Sequence, residues 1–229
     1  GRRPMTPVSV LKKIQLFTSL SEGDGDLLAQ LLRRQTFRKG EVLFHRGDEG
    51  STLYMIVSGK VKISVSRRTE QMTLTILGQG DFLGEMALLD GQPRSADAIA
   101  MEDTYVYVLQ RNDFLSFLMS SENAVRAVLS ALSLRLRKTD DLLTEMCFLN
   151  VPDRLAKKLL ELTQTVDPDS GDGDVVLSLS QIELARLVGV SRESVNKSLK
   201  LLRHRGILST SRNTIRIHNL QLLKTRIQS

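Results

Sequence analysis

The sequence predicts an α+β protein in which an antiparallel β-roll, a long helix and a winged helix-turn-helix follow one another along the chain. Residues 36–110 contain short β-branched stretches separated by glycines, the spacing of strands in a roll or double-stranded β-helix. After Asn112 the apolar residues recur at helical intervals, and two short helical segments are followed by a hairpin. We therefore expect a roll domain at 8–121, a central helix at 122–149 and a C-terminal domain at 150–229.

The composition is that of an ordinary globular protein with room for two domains. The 229 residues are 41% hydrophobic and 25% charged. No apolar run reaches the roughly 18 residues that a membrane helix needs. The segment before Met5 lacks the apolar stretch and the cleavage site of a secretion signal. We therefore expect a cytoplasmic protein.

The charge and the cysteine count narrow the range of functions. A net charge of +6 and an isoelectric point near 9.6 favour a polyanionic partner. The single cysteine, Cys147, forms no intrachain disulfide and supplies too few thiolates for an iron–sulfur cluster or a thiolate zinc site. A sensor based on an iron–sulfur cluster is therefore excluded.

The roll is predicted from six short stretches with strand-like patterns. The first 35 residues are predicted to be helical, and Ser58-Gly59 is typical of a hairpin turn. The predicted strands are Glu41–Phe44, Leu53–Val57, Lys60–Val65, Met72–Leu77, Ala96–Ala100 and Thr104–Leu109.

One stretch within the roll, Phe82–Ala96, has no strand periodicity and carries candidate ligand-binding groups. A short helical piece after Gly84 can present free backbone amides to an anion, while Arg94 supplies charge and Ser95 a hydroxyl donor. Glu85 can accept a hydrogen bond from a ribose hydroxyl. The alternative is that Glu85 and Arg94 form only a surface ion pair. The candidate residues are Gly84, Glu85, Met86, Ala87, Arg94, Ser95 and Ala96.

The central helix carries apolar residues in alternating steps of four and three. This heptad seam is interrupted once by a polar residue, Thr139, as in parallel coiled-coil dimers that fix their register in this way. The alternative is a helix packed against its own domain. Pro152 predicts a break, with a new helix over Leu155–Leu162. The seam residues are Val125, Leu129, Leu132, Leu136, Thr139, Leu143 and Met146.

The C-terminal part carries the pattern of a helix-turn-helix. Residues 165–174 form an acidic, glycine-bearing stretch that predicts a surface loop. Ser180 and Glu183 then match a capping box at the start of a first helix. Gly189 permits a left-handed turn, and Ser191 can cap a second helix from Arg192 to about His204.

The second helix combines a buried side with a polar face suited to DNA. Arg192 can donate two hydrogen bonds to guanine, and Glu193 can accept one from cytosine N4. Serine hydroxyls suit phosphate contacts that set the register. Val195, Leu199 and Leu202 form the buried side. The candidate DNA contacts are Ser180, Ser191, Arg192, Glu193, Ser194, Asn196, Lys197, Lys200 and Arg212.

A hairpin after Gly206 completes the expected DNA-binding domain. Ile207–Ser209 and Thr214–Ile217 flank a turn at residues 210–213, which predicts a wing with Arg212 as its phosphate contact. The alternative is an ordinary helical hairpin with a solvated charged face. The coincidence of cap, glycine turn, polar face and wing favours DNA binding.

Two motifs resemble those of a known family. Gly84-Glu85 followed by Arg94-Ser95-Ala96 resembles the phosphate-binding cassette of cyclic-nucleotide-binding domains. The run from Ser191 to Val195 resembles the start of the recognition helix in the cyclic-AMP receptor protein family of the Crp/Fnr superfamily. The similarity covers nearly the whole chain from Leu11.

The resemblance implies a nucleotide-binding roll, a dimerisation helix and two winged domains that enter successive major grooves. It implies that Gly84 and Glu85 hold the ribose, that Thr139 meets the adenine, and that the cyclic phosphate is held by Arg94, Ser95 and the Ala96 amide. Cyclic AMP is the expected effector.

Three positions depart from the best-known family member. Asp140 replaces a serine that reaches the base from the partner subunit. Its carboxylate can accept from the adenine amine or from two guanine donors, or it is only a solvated charge, so cyclic GMP stays open. Asn196 and Lys197 replace a glycine and an arginine, which leaves the outer bases of the half-site open.

We therefore expect a homodimeric transcription regulator that binds a palindromic operator under allosteric control by a cyclic nucleotide. The alternative is a regulator of the same fold that responds to another signal, such as haem, with a vestigial pocket. We predict neither catalytic residues nor a metal site, because the sequence has no nucleophile–base pair, metal cluster or Walker loop. Whether residues 167–174 contact RNA polymerase stays open.

Overall fold

The computed structural model describes residues 11, 14, 17, 22–67, 70–164 and 174–226. These fall into two compact units, and each is described by itself. Gly1–Val65 and Leu74–Lys138 belong to the first unit, Ser66–Thr73 and Thr139–Ser229 to the second. The acidic loop predicted at 165–174 lies outside the described residues except for Asp174.

The N-terminal half is mainly β-structure, and the half from Arg111 onward is mainly helical. The first elements are α1 (Glu22–Leu31), β1 (Arg33–Phe37), β2 (Val42–Phe44), β3 (Thr52–Ser58), β4 (Val61–Arg67), β5 (Glu70–Leu77), β6 (Phe82–Leu83), α2 (Glu85–Asp90), β7 (Asp97–Ala100) and β8 (Thr104–Gln110). The next are α3 (Arg111–Ser120), α4 (Glu122–Phe148), α5 (Val151–Thr163), β9 (Val175–Leu177), α6 (Gln181–Val188), α7 (Arg192–His204), β10 (Leu208–Ser211), β11 (Thr214–Ile217) and α8 (Leu220–Thr225).

Two four-stranded sheets form the predicted roll. Their strand orders are β1-β8-β3-β6 and β2-β7-β4-β5. Alternating apolar side chains of both sheets meet in one buried core, which includes Ile56, Val61, Leu83, Ala98 and Val106. The six predicted strands are confirmed, with ends shifted by one or two residues.

Two short strands of the roll were not predicted. Residues 33–35, predicted to be helical, belong to the edge strand β1, where every side chain except Phe37 is exposed. This strand is held by its backbone pairing with β8, so it shows no apolar alternation. The second, β6, has only two residues and pairs with Tyr54 and Met55 of β3.

The helix α4 has two different faces. Ala124, Val128 and Ala131 are buried in the core of the first unit. Of the seam residues, Leu132 packs partly against that core, whereas Leu129, Leu136 and Leu143 are 58%, 63% and 60% exposed. Packing on its own domain therefore uses one side of α4 and leaves the predicted seam largely open to solvent.

In the second unit, helices α5, α6, α7 and α8 share one buried core with a three-stranded sheet of order β10-β11-β9. The predicted break after α4 is confirmed, because Asn150 caps α5 and a proline occupies its first turn. The wing was predicted with a four-residue turn at 210–213. In the structure β10 continues to Ser211, and only Arg212 and Asn213 form the turn, because Thr210 and Ser211 pair with Ile215 and Thr214.

Candidate functional site

The cassette begins at Gly84, where the backbone conformation requires glycine. Gly84 precedes α2 with φ of 91°, in the left-handed region, and provides no side-chain cap. A Cβ atom there would lie 2.5 Å from Arg94 Nη1 and 2.9 Å from the Thr52 carbonyl oxygen. Any side chain at Gly84 would therefore displace Arg94.

Arg94 is buried, with 5% of its surface exposed. Its Nη1 donates to the Gly84 carbonyl at 2.8 Å, and its Nη2 donates to the Thr52 carbonyl at 2.8 Å. Its Nε is buried and has no hydrogen-bond partner. Burial lowers the pKa of Arg94, while the charges of Glu85 and Asp48 act in the opposite direction. Arginine stays protonated under such shifts, so the site holds a cation.

Glu85 is also buried, with 1% of its surface exposed. Its Oε1 accepts a hydrogen bond from Arg135 Nη1, and Arg135 Nη2 donates to the Phe82 carbonyl. The Arg135 guanidinium lies 4.8 Å from the Phe82 ring centroid. The other carboxylate oxygen of Glu85, Oε2, is buried without a partner. The surface ion pair considered for Glu85 and Arg94 is therefore wrong, because both are buried and Glu85 pairs with Arg135.

Sequence reasoning missed Arg135. It lies on α4, one helical turn before Thr139, the polar residue that interrupts the seam. A charged residue next to a seam position is usually solvated, so Arg135 was not expected in a buried contact. Its partner Glu85 is 50 residues away, so no local pattern links the two residues. The spacing to Thr139 was the one available indication.

The remaining cassette residues differ in exposure. Ala87 and Ala96 are buried at 3% and 4%, so only their backbone groups can serve a ligand. Ser95 is exposed, and its hydroxyl lies 3.8 Å from the sulfur of Met86. Met86 is half exposed. The cassette therefore combines two buried charged residues, Glu85 and Arg94, with the exposed hydroxyl of Ser95.

Thr139 and Asp140 lie on α4 at exposed positions. They belong to the second unit, whereas the cassette belongs to the first. Their contact with the base of a nucleotide, like the base preference of Asp140, therefore stays a prediction.

The helix-turn-helix has the predicted local structure. Ser180 Oγ accepts from the Glu183 amide at 3.2 Å, and Glu183 Oε2 accepts from the Ser180 amide at 2.7 Å, which is the predicted capping box. Gly189 adopts φ of 71° at the turn. Ser191 Oγ accepts from the Ser194 amide at 3.2 Å and caps α7. The serine hydroxyls thus stabilise helix ends, and any phosphate contact would add to that role.

The exposed face of α7 has the predicted residues. Val195, Leu199 and Leu202 are buried, at 0%, 0% and 1% exposure. The exposed side chains of this face are Arg192, Glu193, Asn196, Lys197 and Lys200. We name these five residues the recognition face. Arg212 is exposed at the tip of the wing.

The pKa of Glu193 is held below its ordinary value by a hydrogen bond to its own backbone amide and by one with the Ser191 side chain. Its carboxylate is therefore ionised at neutral pH and acts only as an acceptor. An obligate acceptor discriminates between bases, because cytosine N4 offers it a donor in the major groove.

The described residues also bear on metal sites and on membrane-spanning helices. Among those residues, no cluster of histidine, cysteine and carboxylate side chains could hold a metal ion. In the same part of the chain, no helix is long and apolar enough to cross a membrane.

Comparison with known families assigns both halves of the chain. The cyclic nucleotide-binding domain family matches residues 34–121. The Crp-like helix-turn-helix domain family matches residues 153–226. The cassette lies in the first match, and the recognition face lies in the second.

Relatives match over nearly the full length. The CRP-like cAMP-activated global transcriptional regulator of Mycobacterium tuberculosis is 33% identical over 221 residues, covering 95% of this chain and 98% of the relative. The cyclic AMP receptor protein of Thermus thermophilus is 33% identical over 215 residues, covering 93% and 97%. A solved structure of the c-di-GMP responsive global regulator CLP of Xanthomonas campestris has a TM-score of 0.77 at 26% identity, covering 87% of this chain and 100% of that one. The chain therefore belongs to the Crp/Fnr superfamily of transcription regulators.

Proposed function

We propose that this regulator binds a palindromic operator as a homodimer, and that cyclic AMP controls its affinity for DNA. The observation that carries the nucleotide half is the pair of unpartnered buried atoms in the cassette, Glu85 Oε2 and Arg94 Nε. Buried polar atoms are nearly always hydrogen-bonded, so an unpartnered acceptor and an unpartnered donor in the same cassette need an explanation. A ligand with a hydroxyl group and an anionic oxygen supplies both missing partners.

In this proposal different residues bind different groups of the nucleotide. Glu85 Oε2 accepts from a ribose hydroxyl, while Arg135 holds the other carboxylate oxygen and fixes its orientation. Arg94 donates to the cyclic phosphate through its guanidinium. Ser95 and the Ala96 amide donate to the same group, and Thr139 and Asp140 face the base.

The exposed stripe of α4 supports the homodimer. Leu129, Leu136 and Leu143 recur at coiled-coil spacing and are each more than half exposed in the single chain. A soluble protein rarely leaves such a stripe uncovered. A second copy of α4 would bury it in a parallel seam, with Thr139 setting the register.

The nucleotide acts in this proposal by shifting an existing equilibrium. A ligand shifts a conformational equilibrium only by its difference in affinity for the two states. Binding against the α4 helices favours the arrangement that spaces two recognition faces one DNA turn apart. The relatives named as cAMP-activated regulators support this direction of control.

The proposal is tested by operator binding at fixed salt concentration. An operator is first selected from random duplex DNA with the purified full-length protein and saturating cyclic AMP. Fluorescence anisotropy then gives the affinity for that operator without ligand and with cyclic AMP, cyclic GMP or cyclic di-GMP. We expect cyclic AMP to raise the affinity at least about tenfold, as a coupling between distinct sites. Equal affinity in all four conditions would refute nucleotide control, and a response to cyclic di-GMP alone would refute the assignment of cyclic AMP.

The recognition face gives a prediction about sequence specificity. Replacing Arg192 with alanine should lower the affinity for the selected operator by about 1–3 kcal/mol and leave the affinity for random DNA nearly unchanged, because a bidentate contact to guanine is lost. The measurement is anisotropy with both DNAs at two salt concentrations.

Arg212→Ala is the matched control for this prediction. Arg212 is the expected phosphate contact, so its loss should weaken binding to both DNAs alike and reduce the salt dependence by about one counterion. Equal losses on both DNAs for Arg192→Ala would contradict base reading by Arg192.

A further inference from the structure

The Arg94 guanidinium is a buried cation whose hydrogen-bond acceptors are all neutral. Nη1 donates to the Gly84 carbonyl, and Nη2 donates to the carbonyl and, at 3.2 Å, the hydroxyl of Thr52. The nearest carboxylate in the cassette, that of Glu85, is held by Arg135. A buried charge normally has an ionic partner or another source of electrostatic stabilisation.

Glu85 and Asp48 stabilise the Arg94 charge without accepting a hydrogen bond from it, and an aromatic ring contacts the guanidinium directly. The Arg94 Cζ atom lies 4.3 Å from the centroid of the Phe44 ring and 5.9 Å from that of Tyr54. A cation within about 6 Å of a ring face is attracted by the negative face of the ring, more strongly where water is excluded. Arg94 is buried and Phe44 is half-buried, so the contact is poorly screened.

The chain segment after Phe44 also holds the backbone of Arg94. The Gly47 amide donates to the Arg94 carbonyl at 2.9 Å, and the Arg94 amide donates to the Asp48 carbonyl at 2.8 Å. At Gly50 an added Cβ atom would lie 3.1 Å from Arg94 Nε and 2.3 Å from the Ala87 Cβ. The ring of Phe44 and the loop that follows it therefore enclose Arg94 together.

We propose that Phe44 is a positioning residue of the nucleotide site, whose ring orients the Arg94 guanidinium for the ligand phosphate. This inference rests on the proposed role of Arg94. A guanidinium held in one orientation before binding loses less conformational freedom when the phosphate arrives. An aliphatic residue of similar size fills the same space without an electron-rich face, so it separates packing from the cation–π contact.

The first test measures cyclic AMP affinity by isothermal titration calorimetry on the full-length protein. Phe44→Leu should weaken binding about five- to tenfold, and Phe44→Trp should stay within about twofold of the parent protein because it keeps the ring face. The matched control is Phe37→Leu, because Phe37 packs on Tyr54 with ring centroids 6.2 Å apart. It should leave the affinity unchanged.

Three outcomes of the titration would overturn the proposal. One is parent-like affinity in Phe44→Leu. Another is a loss in Phe44→Trp as large as that in Phe44→Leu, because the ring face would then be irrelevant. An equal loss in Phe37→Leu would also overturn it, because the effect would then be general to the roll.

The second test needs no nucleotide. The free energy of unfolding is measured for the parent protein, Phe44→Leu, Arg94→Met and the double variant. A cation–π contact makes the two single losses non-additive, whereas additive losses would overturn the proposed contact. If the parent protein binds no cyclic nucleotide, the proposed function fails, and this cycle still decides whether Phe44 stabilises Arg94.

Discussion

Replacing Arg94 with alanine is expected to lower cyclic AMP affinity roughly thirtyfold or more, because truncating a buried charged partner costs about 2–5 kcal/mol. The side chain is 5% exposed, and its buried Nε has no hydrogen-bond partner. Bulk water therefore cannot replace its charge at the phosphate. Titration calorimetry measures the affinity, and operator anisotropy should show no remaining response to the nucleotide.

Arg94→Lys separates charge from geometry in the same experiment. Lysine keeps the positive charge but lacks the planar fork that reaches the Gly84 and Thr52 carbonyls together. We expect intermediate affinity. Circular dichroism and thermal unfolding check that both variants fold, because two half-buried carbonyls lose a donor at a cost of up to about 1–3 kcal/mol each. Full nucleotide affinity in Arg94→Ala would refute the pocket assignment.

The DNA-binding domain was the part most fully predicted from sequence, because its signals are local. The serine cap, the glutamate three residues later and the glycine turn lie within ten residues of one another, and each is confirmed in the structure. The predicted length of the wing turn was wrong, because the sequence pattern assigned Thr210 and Ser211 to the turn. Their pairing with β11 extends the strand.

The chemistry of the cassette was less accessible to sequence reasoning. Glu85 and Arg94 were predicted as ligand contacts, but their burial and separate partners depend on contacts across 50 and 42 residues. A glutamate and an arginine nine positions apart resemble a surface pair until the fold shows that α4 supplies Arg135 to one and β3 supplies Thr52 to the other. Nothing in the sequence indicated a role for Phe44 in the site, because an apolar residue at the end of a strand is normally interpreted as part of the hydrophobic core.

The two interpretations of α4 are compatible because the helix uses different faces for each. Small side chains at Ala124 and Ala131 let α4 approach its own domain closely, and both are buried there. Periodicity detected the heptad seam but could not show that a second, narrower apolar face ran beside it. The seam is consequently available for a second copy of the chain.

The double variant Leu136→Glu/Leu143→Glu is expected to abolish the dimer and to lower operator affinity by at least about a hundredfold, because the second half-site then binds without the benefit of linkage. Both leucines are more than half exposed in the single chain, so the protomer should fold normally. Two glutamates facing their copies across a parallel seam place like charges in an apolar contact. Analytical ultracentrifugation measures the mass, and anisotropy measures binding to the full operator and to a single half-site.

Leu134→Glu is the matched control, because Leu134 is 45% exposed on the same helix and lies outside the seam. It should remain dimeric with parent-like operator affinity. In the double variant, half-site affinity should change little, since the recognition face is intact, and only the full operator should lose affinity. A double variant that stays dimeric would show that the seam of α4 is not the interface. A monomer that keeps full operator affinity would show instead that two recognition faces are not needed together, and the palindromic operator would lose its basis.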